Sequence, residues 1–480
     1  MNTNRRQFVL GLSTAAVGMV AVRPMAKILG TNEALRVGVI GFGGRGKELI
    51  NVIRKQQNAR LVALCDADSD VLGKFEPENK DLFRTQDFRE LLDRKDIDAI
   101  ASATPNHWHT LITMLACQAG KHVYIEKPIS HNMFESQQVV KARTKFDRIV
   151  QCGFQNRSDS SLLPFFEQLH SRVFGKVLHV HGTCHRQRDP IGKLKERLVP
   201  PAVVDYDKWL GPAADLPILR PRLHYDWHWD FNTGNGDVGN QGPHEWDLMN
   251  WALGDTPELP SRICAAGNRF GWNDAGNTPN VMACHGEMNG IPFCFEVVNL
   301  KNSIDAPEGV GVGVIITTEA GTFTGGRGGG RFTFNDGKVV EFKPDPSAGD
   351  STVSHMKNFI DAIASHDRNL QRSECAVAAK SAALSHMANL SFFLGRDASE
   401  GEVQTAFAAE ESAGKMTERL LQAPHQFAKN NPNVTVAEPW KLGPVLEFDQ
   451  QKHAFVGDAA TGANERMSRV YRKNYQLPAV

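Results

Sequence analysis

Three glycines near the amino terminus have the spacing of a nucleotide-binding loop. Gly41, Gly43 and Gly46 form a G-x-G-x-x-G pattern between the apolar stretch 35–40 and the helical stretch 47–57. In such a loop the first glycine permits a tight turn, the second lets the backbone approach a pyrophosphate, and the third lets the helix pack on the strand. The pattern therefore predicts a dinucleotide whose phosphates lie at a helix amino terminus.

A carboxylate follows the second predicted strand. The stretch 59–65 is apolar and ends at Asp66, twenty residues after Gly46. A carboxylate there can accept hydrogen bonds from the ribose hydroxyls and would repel a 2′-phosphate. We therefore predict NAD as the cofactor. NADP stays open as the less favoured alternative, because Arg45 in the loop could offset that repulsion.

Short strands and helices alternate through residue 152. Further helices are predicted at 88–93, 109–119 and 133–144, and further strands at 98–103, 121–125 and 149–152. This alternation is typical of an α/β fold with a doubly wound parallel sheet, whose ligand-binding loops follow the carboxyl ends of the strands. A second glycine-rich run, 325–330, lacks a following helix and is predicted to be a flexible turn.

Composition excludes some classes of partner. The chain has 480 residues, enough for two or three domains, and 54 basic residues balance 54 acidic ones. A formal charge of zero gives no electrostatic basis for binding nucleic acid or an anionic membrane, so we expect a small neutral ligand. The eight cysteines lack C-x-x-C pairs and zinc-ligand spacing, so we predict buried thiols and no metal site, with disulfides still open.

The first residues have the form of an export signal. Arg5 and Arg6 precede Phe8 and an apolar stretch that extends to about Val22. A charged region followed by a short apolar region is typical of a secretory signal, and the paired arginines resemble the twin-arginine type. The stretch is shorter than the roughly 20 residues of a membrane span. We therefore expect a periplasmic protein without a stable membrane span, with an amino-terminal anchor as the alternative.

Several motifs together carry a family resemblance. They are Thr104-Pro105-Asn106-His107, Glu126-Lys127-Pro128, Gly153-Phe154-Gln155-Asn156-Arg157 and the stretches 227–230 and 239–244. With the glycine loop, they resemble the Gfo/Idh/MocA family of glucose–fructose oxidoreductases, inositol dehydrogenases and relatives, most closely its exported branch, over about residues 35–396. The resemblance implies an N-terminal Rossmann domain and a C-terminal α/β domain with a large, mostly antiparallel open sheet. Such sheets commonly form oligomer interfaces, so we expect a homodimer or homotetramer.

The resemblance also implies which residues are catalytic. Lys127 would reach the substrate hydroxyl being oxidised, and His244 would act beside it as the acid/base. Histidine has a suitable pKa for this role, and lysine can polarise the oxygen or share the proton. The family's common pattern has an aspartate four residues before the histidine, where this chain has Asn240. Because an amide cannot titrate, a proton relay through a carboxylate at that position is in doubt.

The predicted contacts fall into two groups. Cofactor contacts are predicted for Gly41, Phe42, Gly43, Gly44, Arg45, Gly46, Asp66, Thr104, Pro105, Asn106, His107, His109, Glu126 and Lys127. Substrate contacts are predicted for Lys127, Gln155, Arg157, Arg186, Trp227, Trp229, Asn240 and His244, since aromatic rings stack on sugars while amides and charged groups bind hydroxyls. A metal held by His224, His228 and His244 is disfavoured, because Pro221 and the nearby aromatic residues predict a loop there.

These observations predict an organisation and a function. The predicted segments are a signal at 1–32, an NAD-binding Rossmann domain at 33–152, a substrate-binding and oligomerisation domain at 153–400, and a carboxy-terminal extension at 401–480. From residue 430 onward, we expect this extension to wrap the Rossmann domain or a neighbour. We expect an NAD-dependent sugar or glycoside oxidoreductase, acting at C3, with a tightly bound nicotinamide because free NAD is scarce outside the cytoplasm. The alternatives are an NAD-dependent glycosidase acting by oxidation and elimination, and a non-catalytic sugar or NAD sensor.

Overall fold

The amino-terminal part of the fold is an alternation of strands and helices. The computed structural model describes residues 34–255 and 258–480, so the predicted signal lies outside the described residues. The strands are β1 (Leu35–Ile40), β2 (Ala59–Cys65), β3 (Phe83–Thr85), β4 (Ala99–Ser102), β5 (His122–Ile125) and β6 (Val150–Cys152). The helices are α1 (Arg45–Arg54), α2 (Ser69–Lys74), α3 (Phe88–Asp93), α4 (His109–Gln118) and α5 (Met133–Phe146). All six strands are parallel, in the order β3-β2-β1-β4-β5-β6, which confirms the doubly wound sheet.

The turn from β1 into the start of α1 contains two positions that exclude a side chain. Gly41 has a φ of 75°, and a Cβ there would lie 2.8 Å from Cγ2 of Thr104. A Cβ at Gly46 would overlap the carbonyl oxygen of Gly41. Glycine is therefore needed at the first position for the turn and at the second for the close approach of α1 to β1.

The carboxy-terminal part is built on one large sheet. Its strands are β7 (Val177–His185), β8 (Arg262–Asn268), β9 (Val281–Met288), β10 (Ile291–Val298), β11 (Val312–Thr318), β12 (Gly321–Gly326), β13 (Gly329–Phe334), β14 (Val339–Phe342), β15 (Arg396–Ala398), β16 (Trp440–Leu442), β17 (Leu446–Asp449) and β18 (Ala454–Val456). The strands follow the order β14-β13-β12-β11-β7-β10-β9-β8-β16-β15, with β17 joining β8 and β18 joining β17. Among the described strand pairs of this sheet, β7 with β10 is parallel and the others are antiparallel, as predicted.

Helices cover both faces of this sheet. The helices in this part of the chain are α6 (Leu162–His170), α7 (Tyr206–Leu210), α8 (Gly236–Gly239), α9 (Pro243–Ala252), α10 (Ser351–Ser365), α11 (Cys375–Phe393), α12 (Glu400–Phe407), α13 (Glu411–Leu420), α14 (Gln422–Asn430) and α15 (Ala460–Glu465). On the inner face, α6, α9 and α11 contribute to a core in which Trp246 stacks on Phe295 with ring centroids 4.0 Å apart. On the outer face, Cys294 belongs to a second core with residues of α12, α13 and α14. Part of a sheet face of the kind that we expected to form an oligomer interface is thus covered by helices of the same chain.

Two helices from the later part of the chain, α10 and α11, pack against the Rossmann sheet. On α10, Met356 and Phe359 enter the core beneath β1, and on α11, Cys375 and Ala378 enter the core of β5 and β6. These helices lie within the range predicted for the second domain. The chain therefore crosses back, and α11 contributes to the cores of both domains.

The last fourteen residues return to the Rossmann domain, one of the two courses expected for the extension. The backbone N–H of Phe134 donates to the carbonyl of Met467 at 2.9 Å, and the Tyr471 hydroxyl donates to Glu135 at 3.0 Å. The ring of Tyr475 packs edge-on against Trp108 with centroids 5.4 Å apart. We call residues 467–480 the carboxy-terminal tail.

All eight cysteines are buried and none forms a disulfide, which confirms the prediction of buried thiols. Over residues 34–255 and 258–480, the structure contains no helix that is both long and apolar enough to cross a membrane.

Candidate active site

A cleft of about 640 Å³ lies between the Rossmann domain and the second domain. It collects most of the predicted site residues, which come from the glycine loop, from the turns after β2, β4 and β5, and from the second domain. Those lining it are Gly41, Gly43, Gly44, Arg45, Asp66, Thr104, Pro105, Asn106, His109, Glu126, Lys127, Gln155, Arg186, Trp227, Asn240 and His244. The cleft thus joins the carboxyl edge of a parallel sheet, where such folds bind ligands, to side chains of a second domain.

The glycine loop exposes backbone amides to the cleft. A Cβ added at Gly43 or Gly44 would meet no atom within 4 Å, so both residues border open space. Helix α1 begins at Arg45 directly after them, and no described side chain caps its amino terminus. Uncapped amides at a helix start carry partial positive charge and bind phosphate oxygens. The loop therefore fits the pyrophosphate of a dinucleotide.

Asp66 lies at the end of β2, where the ribose hydroxyls of a dinucleotide are expected. Its Oδ2 accepts a hydrogen bond from the backbone N–H of Phe42 at 2.9 Å, and its Oδ1 accepts one from Asp68 at 3.1 Å. Burial raises the pKa of the Asp66 carboxyl, and the two amides act in the opposite direction. Lys208, which also lines the cleft, donates to Asp205 at 2.7 Å, so its charge is paired.

Arg45 points along the cleft floor toward a second carboxylate. Its Nε donates to Oε1 of Glu126 at 2.9 Å, and Gln155 donates to the same oxygen at 3.1 Å. Another guanidinium nitrogen is paired with Glu48, whereas Nη2 is buried without a hydrogen-bond partner among the described residues. A phosphate oxygen beside the loop would satisfy that nitrogen. The main part of the arginine's charge is already opposed by carboxylates.

Lys127 follows β5 and directs its ammonium group at residue 240. Nζ donates to the backbone carbonyl of Asn240 at 2.6 Å and lies 3.3 Å from the amide oxygen of that side chain. Burial lowers the pKa of Lys127. A neutral amine is therefore reached at a lower pH than for an exposed lysine, so this side chain can accept a proton from a hydroxyl.

A buried carboxylate orients Asn240. Oδ1 of Asp237 accepts a hydrogen bond from the Asn240 amide nitrogen at 3.1 Å. Two nitrogens of Arg188 donate to Asp237 at 2.8 and 2.7 Å, and Asn299 donates to it at 2.7 Å. Because its charge is opposed and its oxygens are occupied, Asp237 holds its neighbours in place rather than exchanging protons.

His244 lies in the first turn of α9, with its ring edge-on to Phe154 at 5.9 Å between centroids. Its Nδ1 is buried and has no hydrogen-bond partner among the described residues. Burial, and then the charge of Lys127, lower the pKa of His244 well below its usual range. The ring is therefore neutral and has a free nitrogen for a substrate hydroxyl.

The adjacent Glu245 is buried, with 2% of its surface exposed. Burial raises its pKa to about 8, so the carboxyl is protonated at neutral pH. One of its oxygens accepts a hydrogen bond from Gln241 at 3.2 Å. Sequence analysis did not single out this residue, because nothing in the sequence marks it as buried.

The turn after β4 is held by histidines. The two ring nitrogens of His109 lie 2.6 and 2.8 Å from the carbonyl oxygens of Pro128 and Thr104, so the ring packs between the two strand-end turns. Asn106 donates to Asn235 of the second domain at 2.9 Å. These contacts shape the cleft wall.

Five predicted residues do not line the cleft, and two of them keep supporting roles in the glycine loop. Phe42 contributes its backbone N–H to Asp66 while its ring is buried, and Gly46 packs against Gly41. Phe42 and Gly46 therefore shape the glycine loop and do not line the cleft.

The other three predictions are corrected. His107 is 1% exposed, and its ring nitrogens contact the carbonyls of Thr233 and Trp209 at 3.1 and 3.2 Å. Arg157 is buried in ion pairs with Asp247 and Asp255, and Trp229 is buried beneath Arg188. The side chains of these three residues are occupied by partners inside the protein. The predictions that they contact the cofactor or the substrate are therefore wrong.

Several cleft residues were not predicted. They include Trp108, Trp209, Tyr225 and Arg327. Arg327 lies in the turn between β12 and β13, within the glycine run predicted to be a flexible turn, and its charge lowers the pKa of His244. The structure limits the turn to residues 327–328, because the glycines on either side belong to β12 and β13. Nothing in the sequence indicated that this turn lies beside the catalytic candidates.

The disfavoured histidine site is also explained by the geometry. His224 contacts Asp68 at 3.1 Å, and the His228 ring hydrogen-bonds the carbonyl of Tyr225 and stacks on Trp227 at 3.6 Å. Both rings line the cleft. Their nitrogens face different protein groups rather than a shared point, so they extend the aromatic wall.

Comparison with known proteins matches both domains. Residues 35–154 match the model described as "Oxidoreductase family, NAD-binding Rossmann fold", and residues 190–279 match "Oxidoreductase family, C-terminal alpha/beta domain". Among curated relatives, an inositol 2-dehydrogenase of Gluconacetobacter diazotrophicus is 30% identical over 196 residues, covering 39% of this chain and 58% of that protein. A glycosyl hydrolase family 109 protein of Saccharopolyspora erythraea is 28% identical over 189 residues, covering 35% of this chain and 40% of that protein.

Solved structures share the fold. An aldose-aldose oxidoreductase from Caulobacter crescentus superposes with a TM-score of 0.57 at 14% identity, covering 74% of this chain and 97% of that one. A levoglucosan dehydrogenase solved with NADH and levoglucosan gives a TM-score of 0.56 at 17% identity, covering 74% and 95%. At these identities the likeness shows the fold alone.

A Rossmann domain that meets a second α/β domain across a Lys/His cleft defines a two-domain nucleotide-binding protein of the oxidoreductase class. Residues 35–154 and 190–279 match the two domain models of the Gfo/Idh/MocA oxidoreductase family, in the expected order.

Proposed function

We propose that this protein is an NAD-dependent sugar or glycoside oxidoreductase that oxidises a ring hydroxyl, with C3 as the preferred position. The observation that carries the proposal is the pair of proton-accepting groups, Lys127 and His244, in the same cleft as the glycine loop. Inositol 2-dehydrogenase and levoglucosan dehydrogenase, named among the similar proteins, support a polyol or sugar as substrate.

The residues present fit the dinucleotide. The amides beside Gly43 and Gly44 and the free nitrogen of Arg45 would hold the pyrophosphate, and Asp66 would hold the ribose. The paired charges of Arg45 and Lys208 offer little to a 2′-phosphate, which favours NAD over NADP. Bound NAD supplies a hydride acceptor, chemistry that no side chain can supply.

The chain's own residues would bind and deprotonate the sugar. The Trp227 ring is placed to stack on an apolar sugar face, and Arg186 adds donors for hydroxyls. The amide nitrogen of Gln155 already donates to Tyr124 and Glu126, so Gln155 would shape the cleft beside the substrate. Lys127 would contact the reacting hydroxyl, and its lowered pKa allows the neutral amine to take the proton. His244, held neutral, would accept a hydrogen bond from the same or the neighbouring hydroxyl through its free Nδ1.

Export and cofactor retention form part of the same proposal. The twin-arginine pattern at Arg5 and Arg6 supports export to the periplasm in the folded state. Retention of the nucleotide then follows, because an exported enzyme that released NADH would have no supply with which to replace it. A second carbonyl substrate would reoxidise the bound cofactor in place.

The test uses the full chain expressed with its amino terminus intact. The periplasmic protein is purified and denatured, and released NAD(H) is quantified against protein. About one nucleotide per chain supports export and retention, whereas an absence of nucleotide with weak binding on addition contradicts retention. A panel of sugars and polyols is then screened by the absorbance of the reduced nicotinamide.

The same samples separate the alternative functions. Release of phenol from an aryl glycoside without net NADH would identify a glycosidase, the activity named for one relative. Sugar binding without either reaction would identify a sensor. Reduction of bound nicotinamide by a sugar or polyol, abolished in a Lys127 variant, supports the oxidoreductase.

A further inference from the structure

Three groups that commonly bind metals come together on the outer face of the second sheet. They are the imidazole of His179 on β7, the thiol of Cys294 on β10 and the carboxylate of Glu410 just before α13. One ligand atom from each lies within 4.8 Å of the other two. None of the three lines the cleft, so they belong to a separate place in the fold.

We propose that His179, Cys294 and Glu410 bind one divalent zinc-class metal ion, which fastens the carboxy-terminal helices to the second sheet. The proposal is independent of the reaction in the cleft. It goes against the expectation from sequence that the protein has no metal site, because residues more than a hundred positions apart cannot display ligand spacing.

The three groups are poorly satisfied by protein partners. Nε2 of His179 is buried without a hydrogen-bond partner among the described residues. The Cys294 thiol has only a weak contact, at 4.0 Å, to Oε2 of Glu410. Glu410 caps α13 through the N–H groups of Ser412 and Ala413 at 3.0 and 2.6 Å, but it forms no ion pair within the part of the chain that the structure describes. A cation between the three would oppose this unpaired charge.

Their protonation states agree with this geometry. Burial lowers the pKa of His179 to about 4, so its ring is neutral and a nitrogen lone pair is available. Burial, together with Glu410, raises the pKa of the Cys294 thiol well above its usual range. A bound divalent ion would reverse that effect, because metal binding forms the sulfur–metal bond and releases the thiol proton to solvent.

A neighbouring cluster on the same face shows the contrasting arrangement. The buried carboxylate of Glu296, two residues along β10, contacts His185 at 2.6 Å and His181 at 3.3 Å and also pairs with Arg419. Basic side chains therefore complete that cluster from within the protein. The absence of such a partner at Glu410 distinguishes the proposed site.

The ligand set selects the kind of metal. A thiolate with imidazole and carboxylate suits zinc, whereas magnesium and calcium prefer oxygen ligands alone. Zinc bonds of about 2.0–2.3 Å in a tetrahedral arrangement place ligand atoms roughly 3.5 Å apart, so the side chains need to close by about an ångström. The fourth position would be filled by water or by His285, which pairs with Cys294 across β9 and β10.

The test measures metal binding by the full-length protein. A chelator first removes metal from wild type, Cys294→Ser and Glu410→Gln, and each protein is then reloaded with Zn²⁺ or Co²⁺. We measure the metal content per chain and the affinity for the metal by competition with a chromogenic chelator. In the cobalt samples we also measure the thiolate-to-cobalt absorption band. Cys264→Ser is the matched control, since Cys264 is another buried free thiol in the same outer core. Circular dichroism and a cooperative thermal transition verify that each variant is folded.

We expect one metal ion per chain in wild type and in Cys264→Ser, with a higher thermal midpoint when metal is bound. Cys294→Ser should weaken binding by about 100-fold or more and remove the cobalt band, since loss of a direct ligand exceeds the 10–100-fold typical of supporting groups. Glu410→Gln keeps a capping oxygen and should also weaken binding. Wild type without stoichiometric metal, or a folded Cys294→Ser that binds equally well, would overturn the proposal.

Discussion

The amide nitrogen of Asn240 donates to the Asp237 carboxylate at 3.1 Å while the amide oxygen lies 3.3 Å from the ammonium of Lys127. This connection fixes which end of the amide faces the lysine, because only the nitrogen can donate. A side chain that cannot titrate thus positions the proton-accepting group. The doubt raised by the missing aspartate is answered in part: a carboxylate is present three residues earlier, but it acts through Asn240.

Replacing Asn240 with aspartate should move the acidic limb of the activity profile to higher pH. A carboxylate beside Lys127 favours the ammonium form and raises the pKa of the lysine, so the neutral amine forms only at a higher pH. We expect an upward shift of about one pH unit in the profile of kcat. An unmoved acidic limb would show that Lys127 is not the titrating group.

Lys127→Ala should abolish most turnover while leaving the cofactor bound. Removing a positioned acid/base group costs about 10²–10⁴-fold in rate. Bound NAD(H) should remain near the wild-type amount, because the glycine loop and Asp66 are untouched. Lys141→Ala is the control, since Lys141 is exposed on α5. Undiminished turnover in the Lys127 variant would remove this residue from the mechanism.

Asp66→Ser should reduce the preference for NAD over NADP. The carboxylate would repel a 2′-phosphate, and its loss should change the ratio of the two dissociation constants by about tenfold, which corresponds to about 1.4 kcal/mol. Titration of nucleotide-free protein with both cofactors measures the ratio. Asp70→Ser, at an exposed position on α2, should leave it unchanged. The assignment of the ribose site fails if both variants behave alike.

Glu245→Gln should flatten the dependence of stability on pH. The folded-state pKa of Glu245 is raised to about 8, above its usual value of 4.5, so the folded protein holds a proton that the unfolded chain releases. This stabilisation is complete below about 4.5 and is lost as pH rises toward 8. Denaturant unfolding at pH 5 and pH 8 should show a fall, on the order of a few kcal/mol, that is larger in wild type than in the variant. Equal falls would mean that the carboxyl is ionised at neutral pH.

Tyr475→Phe should lower the free energy of unfolding by about 1 kcal/mol. The hydroxyl donates to Oδ2 of Asp207 at 2.6 Å, and the phenyl ring would keep its packing on Trp108. Denaturant titration measures the change. Lys473→Ala, at an exposed tail position, should have little effect. A similar loss in both variants would indicate a general effect of tail mutation rather than this hydrogen bond.

Local patterns predicted where the glycine loop and Asp66 lie in the fold. The glycine loop, β2 and Asp66 are close in sequence, and their relation is set by one strand–loop–helix unit. The position of Arg327 could not be predicted in this way, because its approach to His244 depends on how a distant hairpin packs. Arg157 and Trp229 failed for the related reason that nothing in the sequence indicated that internal partners bury them.

The carboxy-terminal tail also sets an order for assembly of the protein. Tyr475 packs on Trp108, and Arg472 donates to the carbonyl of Gly211 at 3.1 Å beside the segment that carries Trp209, so the tail supports two tryptophans of the cleft wall. A ribosome must translate through codon 475 before that support exists. The glycine loop can form early in synthesis, whereas this part of the cleft wall is supported only after residue 475 has left the ribosome, so the complete cleft forms well after its glycine loop.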